Sequence, residues 1–380
     1  MKILYTISND TTLGSGAGGH YYSLLALAKA MNQKHHVEIL SFGNRVCKMY
    51  SNTENAFSYH HINLDIREIK VAAKKAGEFV DSHNITHIHS FDVQSHKISN
   101  LVSGHTGAKR VSTKPGGPSP NLWYPFCNDM VLFSGEDLKW FKKSHKFNRS
   151  NLYLIPNRHY PEADNTTTSS DLPGLKIEDE VVMSITRFND NKLDQFHQAI
   201  KVAKLLKEQN DKIRLVLIGK IQNTAFFEEI QKAAPRDTLF YTDEIYTVNA
   251  GRFYNQASYA VASGRGVFEA ISYNIPTFIP SQTSQYPVLL TKETANQLIY
   301  FNFSNRCQFD ISKNKAFKDI QMLQDKNKDY KSFISKFYDE NLNITSVTDE
   351  YEIIYNISSK AERNYFDRYK QAFVNKICFL

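Results

Sequence analysis

The chain has 380 residues, 41% of them apolar and 22% charged, which suits two folded domains of ordinary size and excludes a disordered or fibrous chain. No run of about eighteen apolar residues occurs, so no membrane span is expected. The net charge of +7 would serve phosphates, anionic lipid or nucleic acid without selecting among them, and no nucleic-acid-binding signature accompanies it.

In chain order, "MKILYTISND" reads as a first β-strand, not as a secretory signal. "HYYSLLALAKAM" (20–31) follows with apolar residues at helical spacing. "VEILSF" (37–42), "THIHSF" (86–91), "KRVST" (109–113), "DMVLFS" (129–134) and "LYLIP" (152–156) read as further strands, with helix-like segments between several of them. The pattern lapses at 159–180, rich in Asp, Thr, Ser and Pro, which reads as a linker. Strands then resume at 180–188, 211–219, 238–242, 258–263 and 276–280, and 347–373 reads as one or two terminal helices. Such alternation implies an α/β protein with two parallel sheets. Cys47, Cys127, Cys307 and Cys378 contain no CxxC pair, which points to a reduced cytoplasmic protein without a zinc site.

Three stretches carry candidate chemistry. In "TLGSGAGGHYYSLLALAKA" (12–30), glycines between strand and helix let backbone N–H groups approach a phosphate. Gly14, Gly16 and Gly19 satisfy GxGxxG, but the second strand ends "ILSFGNR", without the carboxylate that a dinucleotide site requires. In "SITRFNDNKLDQFHQAI" (184–200), Arg187 and Lys192 straddle a strand-to-helix junction, a placement that suits a diphosphate. In "SGRGVFEA" (263–270), Gly264, Arg265 and Gly266 lead into a helix holding Glu269, a carboxylate able to accept from a vicinal diol. Each has a plainer account when read singly: a flexible loop, two solvated cations, and a first-turn Glu complementing a helix dipole.

Taken in this order, the stretches resemble the GT-B glycosyltransferases, in particular the retaining family GT4, glycosyl transferases group 1. Gly18-Gly19 match that family's "GG", "IPNR" (155–158) its "IPNG" turn, "TRFNDNKL" its "GRxxxxKG", and "VASGRGVFEAISYNIPTFI" its "EGFGxxxLEAxAxGxPVI". The resemblance implies a GT-B fold of two Rossmann-like domains with parallel sheets facing across a cleft. The expected domains are 1–165 (acceptor) and 166–346 (nucleotide-sugar donor), with 347–380 packing back toward the first. It implies that Arg187 and Lys192 hold the donor diphosphate, that Glu269 accepts from the ribose hydroxyls, and that Gly18, Gly19, Gly264, Arg265 and Gly266 close on phosphates and sugar.

The implied activity is retaining, metal-independent transfer from a nucleotide diphosphate sugar, UDP by family prevalence, to a glycan or glycolipid acceptor in bacterial lipopolysaccharide or capsule synthesis. No DxD motif is present, "NDN" (189–191) being a poor substitute, and no cofactor is expected. Departures from the family are specific. Val261 stands where the first Glu of its E-x7-E pair falls, and Lys114-Pro115 occupy the turn that carries its N-domain histidine. Lys114 remains a donor-binding candidate in the "KPGGP" loop. Two alternatives stay open: a non-catalytic donor-binding or scaffold subunit, and a nucleotide-sugar epimerase or hydrolase of the same fold.

The segment 136–149 interleaves Lys139, Lys142, Lys143, Lys146 and Arg149 with Trp140, Phe141 and Phe147. Either it rests on anionic lipid at the inner face of the cytoplasmic membrane, or its aromatics enter the core. His20, beside the glycine loop, and His89, near a strand end, are further cleft candidates; the alternation of His87 with His89 reads as structural, not metal-binding.

Overall fold

The apolar run KILYTIS forms β1 (Lys2–Ser8), buried from its second residue onward. A strand of this kind requires cover on both faces. Ile3, Tyr5 and Ile7 enter one apolar cluster, and Leu4 enters another on the opposite side. With β2 (His36–Gly43), β3 (Ser58–Asn63), β4 (His87–Ser90), β5 (Lys109–Lys114), β6 (Asp129–Leu132) and β7 (Asn151–Leu154), β1 forms a parallel sheet in the order β3-β2-β1-β4-β5-β6-β7. Helices α1 (Gly19–Met31), α2 (Ile69–Ser82), α3 (Val93–Thr106) and α4 (Gly135–Lys143) connect its strands. The computed structural model describes residues 1–10, 18–51, 57–121, 123–160, 172–325 and 327–359; Gly14, Gly16 and Cys378 lie outside them.

The second sheet contains β8 (Glu180–Ile185), β9 (Ile213–Ile218), β10 (Leu239–Tyr241), β11 (Tyr259–Val261), β12 (Thr277–Ile279) and β13 (Val288–Leu289), in the order β10-β9-β8-β11-β12-β13. Its pairs are parallel except for the edge strand β13, which runs antiparallel to β12. Around it lie α5 (Leu193–Lys207), α6 (Thr224–Ala233), α7 (Glu244–Thr247), α8 (Arg265–Ser272), α9 (Lys292–Tyr300), α10 (Lys313–Asp325) and α11 (Asn327–Asn341). The chain divides into two compact units, Met1–Tyr160 with Asn343–Leu380, and Pro161–Leu342. Both are α/β units with parallel sheets, as the strand–helix alternation requires.

The last described helix, α12 (Thr348–Ile357), belongs to the first unit. Its Tyr355 hydroxyl lies 3.0 Å from that of Tyr5 and 2.8 Å from His89 Nδ1, and its carbonyl accepts from His87 Nε2 at 3.0 Å. Burial holds the tyrosine hydroxyls in this cluster far above their ordinary range. Cys47, Cys127 and Cys307 are buried and unpaired. No helix among the described residues is long and apolar enough to cross a membrane.

Candidate functional site

In open parallel sheets, ligands bind beyond the carboxyl ends of the strands, where the strand order reverses. In the second unit that point lies between β8 and β11. Arg187 lies two residues past the end of β8, Lys192 ends the short 3-10 turn before α5, and Ser263 to Glu269 follow β11. The sequence candidates of this unit therefore meet at one strand-end crevice.

Two cations stand close together here. Among the described residues, neither Arg187 nor Lys192 has an ion-pair partner; Lys192 donates only to the neutral Ser263 Oγ, at 3.2 Å. Burial first, then the nearby Arg187 charge, pushes the Lys192 ammonium below its ordinary value. The charge of an arriving anion would oppose both effects. Ser263 Oγ in turn donates to Gln195 Oε1 at 2.8 Å, and Gln195 Nε2 donates to Ser184 Oγ and to the Val261 carbonyl. Gln195, on α5, and Ser184 are buried, and through Ser263 they fix where Lys192 points.

Glu269 is not a first-turn residue. It is the fifth residue of α8, which has no acidic residue in its first turn, so complementation of the helix dipole does not explain it. Its Oε1 accepts from Arg265 Nε at 2.5 Å, so two residues expected to meet the donor separately are paired with each other. Gly251, in the turn before β11, makes room for this carboxylate: a Cβ there would lie 2.7 Å from Glu269 Cδ. The Tyr254 hydroxyl, fully buried nearby, is driven upward by burial and by the Glu269 charge.

The glycines do different work from one another. Gly264 has φ +56°, a backbone region that favours glycine. Its N–H is not available to an anion as expected, because it donates to the Phe303 carbonyl at 2.7 Å. At Gly266 a Cβ would meet Tyr254 Oη at 3.3 Å, a tight contact that favours the glycine. Val261, where the family resemblance reserves a carboxylate, is fully buried in the apolar cluster between β8, β11 and α5. No acid stands at that position.

In the first unit the strand order reverses between β1 and β4. Asp92 bridges that point, accepting from Ser8 N at 2.6 Å and Ser8 Oγ at 2.7 Å while capping α3. Gly18 is the N-cap of α1 and Gly19 its first residue, with open space where a Cβ of Gly19 would be. His20 stands beside them, its ring against Tyr21; burial lowers its pKa and the Asp92 charge opposes that. These three residues stay at the carboxyl end of β1, where a ligand would bind.

Two candidates of this unit are engaged within the protein. Lys114 is buried with its ammonium 3.2 Å from Asp137 Oδ2 and donates to the Pro118 carbonyl at 2.9 Å. These contacts tie it to its own loop and to α4. His89 is fully buried, with Nε2 2.7 Å from Thr113 Oγ1 and Nδ1 on Tyr355. Both nitrogens are engaged, which makes it a structural residue. Phe141 and Phe147 are likewise buried in a core cluster with Trp140 packed against them, leaving Lys139, Lys142, Lys143 and Arg149 exposed.

Sequence reasoning missed Gln195, Ser263, Gly251 and Asp92. A buried glutamine on an apolar helix face three residues after Lys192 was the one available signal.

Residues 167–304 match the family described as glycosyl transferases group 1. No curated protein sequence matches the chain. Among solved structures, the fold is similar to that of a glycosyltransferase from Rickettsia africae, at 14% identity and TM-score 0.68 over 96% of this chain and 99% of that one. It is similar also to Anabaena HepE in complex with UDP and glucose, at 10% identity and TM-score 0.60 over 93% and 98%. A third likeness is to UDP-GlcNAc 2-epimerase from Neisseria meningitidis bound to UDP-GlcNAc, at 9% identity and TM-score 0.53 over 93% and 98%. At such identities the likeness is one of fold.

Proposed function

We propose that this chain, a divergent GT-B glycosyltransferase whose residues 167–304 form a glycosyl transferases group 1 domain, moves a sugar from a UDP-sugar to a glycan or glycolipid acceptor. The observation that carries the donor reading is the pair Arg187 and Lys192, two neighbouring cations at the strand-end crevice, neither with an ion-pair partner among the described residues. A diphosphate is the ligand such a pair fits. Negative charge grows on the departing diphosphate during transfer, and fixed cations stabilise it most when their orientation is set beforehand. Ser263 and Gln195 supply that orientation for Lys192.

In this reading Glu269 accepts from the ribose hydroxyls, using the oxygen that Arg265 leaves open. UDP is preferred because HepE and the N. meningitidis epimerase hold UDP or a UDP-sugar. Transfer is retaining and needs no metal, and its setting is cytoplasmic synthesis of a surface polysaccharide. Contact with an anionic membrane runs through the exposed Lys139, Lys142, Lys143 and Arg149, and is electrostatic, since Phe141 and Phe147 are committed to the core.

Burial of Val261 in place of a carboxylate favours a second reading, a subunit that binds donor without turning it over. Incubation with a panel of UDP-sugars, with and without lipid-linked glycan acceptors, separates the two. Acceptor-dependent UDP release supports transfer. Donor binding with no release under any acceptor supports the subunit, and acceptor-independent release or epimerised donor supports the hydrolase or epimerase alternative.

A further inference from the structure

At the β2–β3 edge of the first sheet, away from every residue named for donor binding, a carboxylate and two imidazoles converge. Glu38 lies on β2 and is 3% exposed, an unusual setting for an acid. His60 comes from β3, in register with Leu40, and His83 is the C-cap of α2. One ligand atom from each of Glu38, His60 and His83 lies within 4.8 Å of the other two.

The hydrogen bonding around these groups is that of a site prepared for a cation. Glu38 Oε2 and His60 Nε2 are 3.2 Å apart, both buried, and neither has a hydrogen-bond partner in the protein. His83 Nδ1 lies 3.0 Å from the Phe79 carbonyl, to which it can only donate, and 3.2 Å from Ser82 Oγ; with the proton on Nδ1, Nε2 keeps its lone pair. Metal-binding histidines are held in this way, the remote N–H on a carbonyl. The Phe79 ring stacks on His83, with centroids 3.9 Å apart, and meets His60 edge-on, which limits the motion of both imidazoles. His36 Nε2 sits 3.0 Å from Glu38 Oε1, an outer partner for the carboxylate.

We propose that Glu38, His60 and His83 bind one divalent transition-metal ion of the zinc class. Two imidazoles and one carboxylate favour such an ion over magnesium or calcium, which take oxygen ligands. Three protein ligands leave a fourth position for water or for His36. The ion cross-links strands β2 and β3 to the end of α2, and its role is to fasten this sheet edge; sugar transfer does not pass through it.

The test is titration of the full chain, metal-stripped and without a polyhistidine tag, with Co²⁺ alone, followed by displacement with Zn²⁺. The expected result is the visible absorption of a four-coordinate Co²⁺ site, saturating at one equivalent and abolished by Zn²⁺. His60→Gln and His83→Gln should each weaken Zn²⁺ binding at least tenfold, and Zn²⁺ should raise the melting temperature of the wild type but not of either variant. His83 lies outside the sheet, so His83→Gln remains informative if His60→Gln fails to fold. Absence of stoichiometric Co²⁺ absorption, or equal Zn²⁺ affinity in wild type and His83→Gln, would overturn the proposal and leave a bare Glu–His contact.

Discussion

Lys192 and Ser263 are joined across the strand-order reversal of the second sheet, the ammonium donating to the serine Oγ at 3.2 Å. Ser263 accepts this bond while donating to Gln195, so it transmits the position of a buried amide to a cation. Ser263→Ala removes the link without opening a large cavity. It should weaken UDP binding about five- to tenfold, in keeping with roughly 1 kcal/mol for one hydrogen bond, at an almost unchanged melting temperature. Calorimetric titration beside a thermal melt checks this; equal affinity for wild type and variant removes the positioning role.

The contact between Gly251 and Glu269 makes a sharper prediction. A Cβ at 251 collides with the end of a flexible side chain, so the carboxylate moves and the backbone stays. Gly251→Ala should therefore reduce affinity for UDP much as Glu269→Ala does, and far less for a ribose-free pyrophosphate ligand. Comparison of the two ligands on both variants measures it. A variant that binds UDP as the wild type does would show that Glu269 is not on the ribose.

Lys114→Met tests whether that lysine serves the fold or the ligand. Asp137 is fully buried, burial raises its pKa, and the Lys114 charge is the leading influence opposing the rise. Removing one partner of a buried pair costs about 3–5 kcal/mol. Both tryptophans, Trp123 and Trp140, lie in the first unit, so urea unfolding followed by tryptophan fluorescence reads this loss directly. Lys114→Met combined with Asp137→Leu should recover much of it. A stable Lys114→Met that has lost donor affinity would return the residue to the binding site.

The legible part of the fold was the part made of continuous apolar runs. β1, β2, β8 and β9 announce themselves because parallel strands covered on both faces exclude polar residues. β3, SYHHIN, carries no such run, being a half-exposed edge, and β13 has only two residues. At the site, Arg187 and Lys192 were readable from one local motif. Gln195 with Val261 and Gly251 with Glu269 were not, because those contacts join different elements and only the fold brings them together. Lys114 was found by its loop, but its pairing with Asp137 was not legible, since nothing near it in sequence points to that residue.

Buried histidines set the acid limit of the first unit. Burial pushes His89 down to about 3 and His87 to about 4, from an ordinary 6.5. Below pH 6.5 the unfolded chain takes up protons that the folded chain refuses, so stability is full above that value and falls as pH drops. The slope is about 1.4 kcal/mol per pH unit for each fully buried histidine, and it flattens near the folded values. Urea midpoints read by tryptophan fluorescence should decline from about pH 6.5 to about pH 5, and more shallowly in His89→Gln. Parallel profiles for the two proteins would contradict the assignment.

The central claim is that Arg187 and Lys192 form a diphosphate site, and comparison of UDP with uridine by calorimetry isolates it. The wild type should bind UDP at least tenfold more tightly than uridine, and Lys192→Met and Arg187→Met should each erase most of that difference while leaving uridine binding and the melting temperature in place. Equal binding of UDP and uridine by the wild type, or an undiminished preference for UDP in both variants, would contradict it.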